Sequence, residues 1–134
     1  MIKNSISTAL VLSLLLLIGC GGNVTVTGKV VFSDDGSPLT VGTVCFASNG
    51  SLARGDIQPD GTFTVGTLGE RDGLPPGTYS VYILGASRII GSADAGIDEQ
   101  LIDLKHTSPD TSGKKVEITS SIRDFVIEVD RFRK

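Results

Sequence analysis

The chain has 134 residues, a formal net charge of −3, two cysteines, one histidine and no tryptophan. That length provides one domain with a single hydrophobic core. A modest acidic balance argues against nucleic acid as a partner and against a polybasic membrane patch.

The first element in chain order is apolar. Met1-Ile2-Lys3-Asn4 precedes a run over residues 9–18 that only Ser13 interrupts. A helix needs about 20 apolar residues to cross a bilayer, and this run has about half of them. A short positive start, a short apolar core and a small residue before a break describe a secretory signal. A buried helix of a soluble domain would need an amphipathic face and a partner helix, and nothing downstream supplies one.

The end of that segment decides how Cys20 is read. Leu17-Ile18-Gly19-Cys20 resembles the lipobox of bacterial lipoproteins: a Leu, a tolerant position, a small residue, then Cys. The resemblance implies a diacylglycerol on the Cys20 sulfur and cleavage between Gly19 and Cys20, with Gly21-Gly22 leaving the new terminus unstructured. Acyl chains contribute about 0.8 kcal/mol per buried CH₂, so two or three of them make a lasting anchor. The alternative is a plain secreted protein with Cys20 free or bridged to Cys45.

With the lipid in place, no disulfide joins the two cysteines. The expected organisation is then a signal over residues 1–19, a lipidated linker over 20–23 and a domain over 24–134. The removed part carries Lys3 alone, so the mature chain is more acidic still. Cys45, between Val44 and Phe46, falls within an expected strand. No second cysteine or nearby histidine is there to lower its pKa, which makes it an inert structural thiol.

From Val24 onward period two dominates. Val24, Val26, Val30 and Phe32 share one parity, the mark of a half-buried strand. Asp34-Asp35-Gly36-Ser37-Pro38 is a turn, Val44 and Phe46 lie in a second strand, and Ser48-Asn49-Gly50-Ser51 closes it. Asp60-Gly61, between runs over residues 52–57 and 62–65, predicts a hairpin.

A polar loop ends in Leu74-Pro75-Pro76-Gly77-Thr78-Tyr79. Pro75 and Pro76 cannot donate to a ladder and hold the chain extended, while Gly77 permits a sharp entry. Tyr79, Val81 and Ile83 alternate after it. The Tyr79 hydroxyl either bonds back to this loop as a tyrosine corner or belongs to a plain core residue. Further strands are expected over 115–119 and 125–129. Between the Tyr79 run and the first of these, residues 85–113 alternate weakly, and 101–105 is the best candidate there for one more strand. No segment after Cys20 has a helical period. About seven short strands between Gly- and Pro-rich turns predict an all-β, antiparallel sandwich.

Several of these segments resemble the carboxypeptidase-regulatory-like, transthyretin-like β-sandwich. They are Val26-Thr27-Gly28-Lys29-Val30, Gly36-Ser37-Pro38-Leu39 leading to Val44-Cys45-Phe46, Asp60-Gly61-Thr62-Phe63 and Pro76-Gly77-Thr78-Tyr79-Ser80-Val81. The stretch from Ile102 to Lys114 resembles a subgroup of small bacterial lipoproteins built on this sandwich. It departs from their pattern at Asp103, His106 and Lys114, where Pro, Tyr and Leu are usual. The resemblance implies a fold; it does not imply a role, because folds host many functions.

No catalytic constellation emerges. His106, with Asp98, Glu99 and Asp103 in the same stretch, is a conceivable metal cluster or general base, against a surface or packing role. Asp34-Asp35-Gly36 and Asp60-Gly61 lack the alternating acidic ligands of a calcium loop and read as turns. Residues 66–73 lack the Lys and following helix of a phosphate loop. Four phenylalanines, Phe32, Phe46, Phe63 and Phe125, fall on the inward parity. That leaves Tyr82 and Phe132 as outward rings, a poor platform for sugars. The ending Asp130-Arg131-Phe132-Arg133-Lys134 reads as a solvated strand end, against a docking patch. If the strands alternate in direction and are odd in number, this tail points away from the anchored end.

The expectation is therefore a protein without catalytic residues, metal or cofactor. It is exported to the bacterial cell envelope and held at the cytoplasmic or outer membrane by the lipid on Cys20, as a structural or interaction module. The alternative is a module that binds an envelope glycan or a peptide, through residues 85–113 or an exposed sheet edge.

Overall fold

A computed structural model describes residues 22–67, 72–92 and 96–134, and among these the alternating segments form nine strands. They are β1 (Val26–Phe32), β2 (Thr43–Ser48), β3 (Ser51–Asp56), β4 (Thr62–Thr64), β5 (Gly77–Leu84), β6 (Ser87–Ile90), β7 (Ile97–Gln100), β8 (Lys115–Ile118) and β9 (Ile122–Val129). One sheet has the order β4-β1-β9 and the other β3-β2-β5-β8, while β6 and β7 pair only with each other. The all-β sandwich is as expected, and the strands beyond about seven come from the β6–β7 hairpin.

The core follows the parities. Val26, Val30 and Phe32 of β1, Val44 and Phe46 of β2, and Tyr79, Val81 and Ile83 of β5 are all buried. Phe46 is the hub: its ring centroid lies 6.4 Å from Phe63, 6.3 Å from Tyr79 and 6.1 Å from Phe125. Phe63 and Phe125 belong to the opposite sheet, so these rings join the two layers. Gly28 is the small inward residue of β1, and a Cβ there would lie 2.0 Å from the Phe125 carbonyl oxygen and 2.8 Å from the Phe63 ring. Glycine at that position lets the β9 backbone and the Phe63 ring close over β1, next to a register irregularity between Val26 and Gly28.

Two expectations are corrected. The sandwich is not wholly antiparallel, because β1 and β9 run parallel, with Val30 opposite Ile127 and Phe32 opposite Val129. Asp60-Gly61 turns the chain back on itself as expected: Gln58 N–H donates to the Thr62 carbonyl at 2.8 Å, and Arg54 and Gly66 exchange both backbone bonds at 2.9 and 3.0 Å, although β4 itself ladders with β1. The chain turns there with Gly61 N–H donating to the Gln58 carbonyl at 2.8 Å, and β3 and β4 lie in different sheets. The buried Ile57 anchors the crossing to the other layer, where Val65 N–H meets the Val26 carbonyl at 3.0 Å. Residues 101–105 do not form a strand. Ile102 makes one isolated bridge to Arg131, and Leu104–Thr107 is a 3-10 turn whose Asp103 carboxylate accepts from Lys105 N–H at 3.0 Å. An acidic cap immediately before the turn favours that local closure over a ladder.

The parallel pair sets the poles of the molecule. β1 enters beside Leu74, with Val24 N–H on the Leu74 carbonyl and Leu74 N–H on the Val24 carbonyl, both at 2.9 Å. β5 starts three residues after Leu74 and runs to Leu84 at the far pole, where Phe32, Val129 and the root of the β6–β7 hairpin also lie. The tail therefore leaves at the pole opposite Asn23.

Candidate functional site

At the near pole, the Pro75-Pro76-Gly77 entry places the Tyr79 ring in the core and its hydroxyl under the loop. That hydroxyl donates to the Pro75 carbonyl at 2.5 Å, which makes a corner of the segment. Burial pushes the Tyr79 phenol up, so it stays protonated and keeps donating. Asn23 Nδ2 donates to the Asp72 carbonyl at 3.0 Å, pinning the first described residues to the same loop. Gly19 and Cys20, the expected cleavage and lipid sites, lie outside the described residues.

On the outer face of the second sheet near this pole is a hollow of about 420 Å³, lined by Ser48, Asn49, Thr78, Ser80, Pro109 and Lys115 among others. The cross-strand row Ala47–Ser80–Lys115 forms part of its lining, and the small side chains at Ala47 and Ser80 leave it open. It offers hydroxyls, an amide and one ammonium, a set that can hydrogen-bond a ligand but holds no nucleophile paired with a base. Cys45 is elsewhere on this sheet, buried and free, and burial raises its thiol pKa. A thiol kept protonated in this way is a poor nucleophile.

The two acidic turns organise themselves. Asp60 Oδ1 accepts from Thr62 N–H at 3.0 Å and from the Thr62 hydroxyl at 2.6 Å, and these bonds hold its carboxyl below the usual range. Asp35 does the same with Ser37, at 2.9 Å from the N–H and 2.6 Å from the hydroxyl. The Ser37 hydroxyl, then its N–H, and also the Arg131 guanidinium bring Asp35 down to about 2. Among the described residues, no group of three or more His, Cys, Asp and Glu side chains could hold a metal.

The tail differs from a solvated strand end at Arg131. Its Nε donates to Asp34 at 2.7 Å, and its Nη2 to Asp35 at 3.0 Å and to the Ser37 hydroxyl at 2.8 Å. Its guanidinium carbon lies 3.8 Å from the Phe32 ring centroid. The far end of β1, its turn and the tail are thereby fastened together. The pairing was not legible because nearly a hundred residues separate its partners.

His106 sits beside this fastening and is only 4% exposed. Its Nε2 accepts from the Asp130 backbone N–H at 3.1 Å, while its buried Nδ1 has no partner among the described residues. Burial, then the Lys114 charge, lowers its pKa. Of the acidic residues in the same stretch, Asp103 caps the 3-10 turn, while Asp98 and Glu99 lie on β7 with Glu99 bound to Arg88 at 2.5 Å. They do not converge with the imidazole, whose role is in packing and in holding the β9 terminus.

The β6–β7 hairpin carries Ile89 and Ile97 at 73% and 68% exposure, with Ile90 also exposed and opposite Ile97. Of the outward rings, Tyr82 is half-buried beside Cys45 in register and Phe132 is exposed in the tail. Among the described residues no helix is long and apolar enough to cross a membrane. Comparisons with family models, curated proteins and solved structures return no match to the chain.

Proposed function

We propose that the protein is a non-catalytic, lipid-anchored module of the bacterial cell envelope that presents its far pole to other envelope components. The observation that carries this reading is the placement of Leu17-Ile18-Gly19-Cys20 only three residues before Val24, where β1 is bridged to Leu74. Gly21-Gly22-Asn23 reach about 10 Å at most, so a lipid on Cys20 holds the near pole against the bilayer. The parallel pairing of β1 with β9 then carries the tail and the β6–β7 hairpin to the side away from the membrane. Exposed isoleucines at that end supply an apolar surface for contact.

The test is metabolic labelling of expressing cells with an alkyne palmitate analogue, followed by mass spectrometry of the mature terminus. The expected result is incorporation in the native chain, a diacylated Cys20 as the first residue, and loss of label in Cys20→Ala. A native mature chain carrying an unmodified Cys20 thiol, or a Cys20–Cys45 disulfide, would remove the basis of the proposal.

A further inference from the structure

The C-terminal end of β9 is closed against residues 101–106 by a short seam of backbone bonds. Asp103 N–H donates to the Asp130 carbonyl at 2.9 Å, and Phe132 N–H donates to the Leu101 carbonyl at 3.0 Å. Between them, Asp130 N–H donates to the imidazole Nε2 of His106 at 3.1 Å. That middle bond exists only while the ring is neutral and its one proton is on Nδ1.

We propose that His106 is an acid-operated latch on this seam, so that its protonation parts the 103–107 turn from the end of β9. A second proton on the ring would place an N–H on Nε2, directed at the Asp130 N–H it now accepts from. Two donors would then face each other at a buried ring, whose Nδ1–H has no acceptor among the described residues. Asp130 Oδ2 lies 3.7 Å from Nε2, beyond hydrogen-bond distance for the new N–H, and already receives Lys105 Nζ at 2.5 Å. The other oxygen of the Asp130 carboxylate, Oδ1, accepts from the Ser33 hydroxyl at 2.5 Å, so both oxygens are already engaged away from the ring.

The charges around the ring come from each side. Lys105 and Asp103 lie on its own turn, Lys114 precedes β8, and Asp130 directly follows β9; β5, which packs against the turn, carries no charged residue. The two lysines oppose an imidazolium and the two carboxylates favour it, while burial adds the largest opposing effect. A ring whose folded pKa lies below its free value makes opening easier as pH falls. The opened population rises about tenfold per pH unit between the free value near 6.5 and the lower folded value.

Opening is local. Arg131 remains on Asp34 and Asp35, and Asp35 titrates only at about 2, so the tail stays attached at that point. What loosens is the seam at Leu101, which also donates its N–H to the Ala86 carbonyl at 3.0 Å at the root of the β6–β7 hairpin. This inference does not depend on the lipid anchor.

The experiment is NMR on the purified chain between pH 7.5 and pH 4.5, following the His106 ring and the exchange protection of the Asp103, Asp130 and Phe132 amides. Expected are a ring pKa below 6.5, an Nδ1–H tautomer at neutral pH, and a loss of about tenfold in protection per pH unit at those amides. Amides of Phe46 and Val81 in the core keep theirs. In His106→Gln the side-chain carbonyl can accept from Asp130 without titrating, and the three amides should remain protected to pH 4.5. A ring pKa at or above 6.5, or the same protection profile in the glutamine variant, overturns the proposal. Should that variant fail to fold, the native ring titration and amide profile decide alone: loss of protection that does not track the ring's own titration is then the overturning result.

Discussion

Asp35 is shaped more by its nearest hydroxyl than by the arginine that reaches it across the fold. The carboxylate is exposed, yet its position in the turn gives it the Ser37 N–H and hydroxyl, and these outrank the Arg131 charge in lowering its pKa to about 2. A charge in open solvent is screened, whereas a local hydrogen bond acts only on the ionised form. Ser37→Ala should therefore move the Asp35 titration toward 3.8 further than Arg131→Ala does, as read from carboxyl carbon shifts in NMR. The sign for stability follows. A depressed folded value contributes stability that is present above the unfolded value of 3.8 and is lost as pH falls toward 2. The reverse order of the two variants would mean that the ion pair, and not the turn, sets the carboxylate.

At the scale of elements, the Pro75–Tyr79 corner shows what one hydroxyl does for the entry of a strand. Tyr79→Phe keeps the ring against Phe46 and removes only the donor to the Pro75 carbonyl. The cost expected in urea unfolding is about 1 kcal/mol, with the slope unchanged, because one hydrogen bond is lost and no apolar surface is exposed. A change below a few tenths of a kcal/mol would show that water serves the carbonyl equally well.

Elements such as this one were legible in the sequence because their signals are local. Pro-Pro-Gly before an alternating run, Asn49-Gly50 at a strand end and the parity of β1 each act within a few residues. The β6–β7 hairpin was illegible because neither of its faces is buried in the core, so no alternation is imposed on it. The Asp60-Gly61 turn was legible together with the return pairing of Arg54 and Gly66, but a tight turn does not specify that the returning strand then ladders in the other sheet. The acceptor role of His106 had no signal at all: it depends on a strand end that packs there only after folding.

For the molecule as a whole, the parallel β1–β9 pair makes the end of the chain a structural member. β9 is joined to β1 along most of its length and buries Ile127 and Val129, with Ile122 and Phe125 packed against the core. Fully burying side chains of this kind contributes about 1.5–3 kcal/mol each, and their sum rivals a typical domain stability of about 5–15 kcal/mol. The β6–β7 hairpin, by contrast, pairs with neither sheet and leaves three isoleucines exposed. Two excisions of similar length should thus have opposite results. Ending the chain after Ser121 should abolish the cooperative urea transition and leave a chain that binds hydrophobic dyes. Replacing residues 88–99 with a short glycine turn should keep the transition, with a loss of about 1 kcal/mol or less, because a lone two-stranded hairpin adds little stability of its own. A cooperative transition surviving the first excision would show that β4 and the second sheet can hold β1 without its parallel neighbour. The central place given to the chain's last strand would then be wrong.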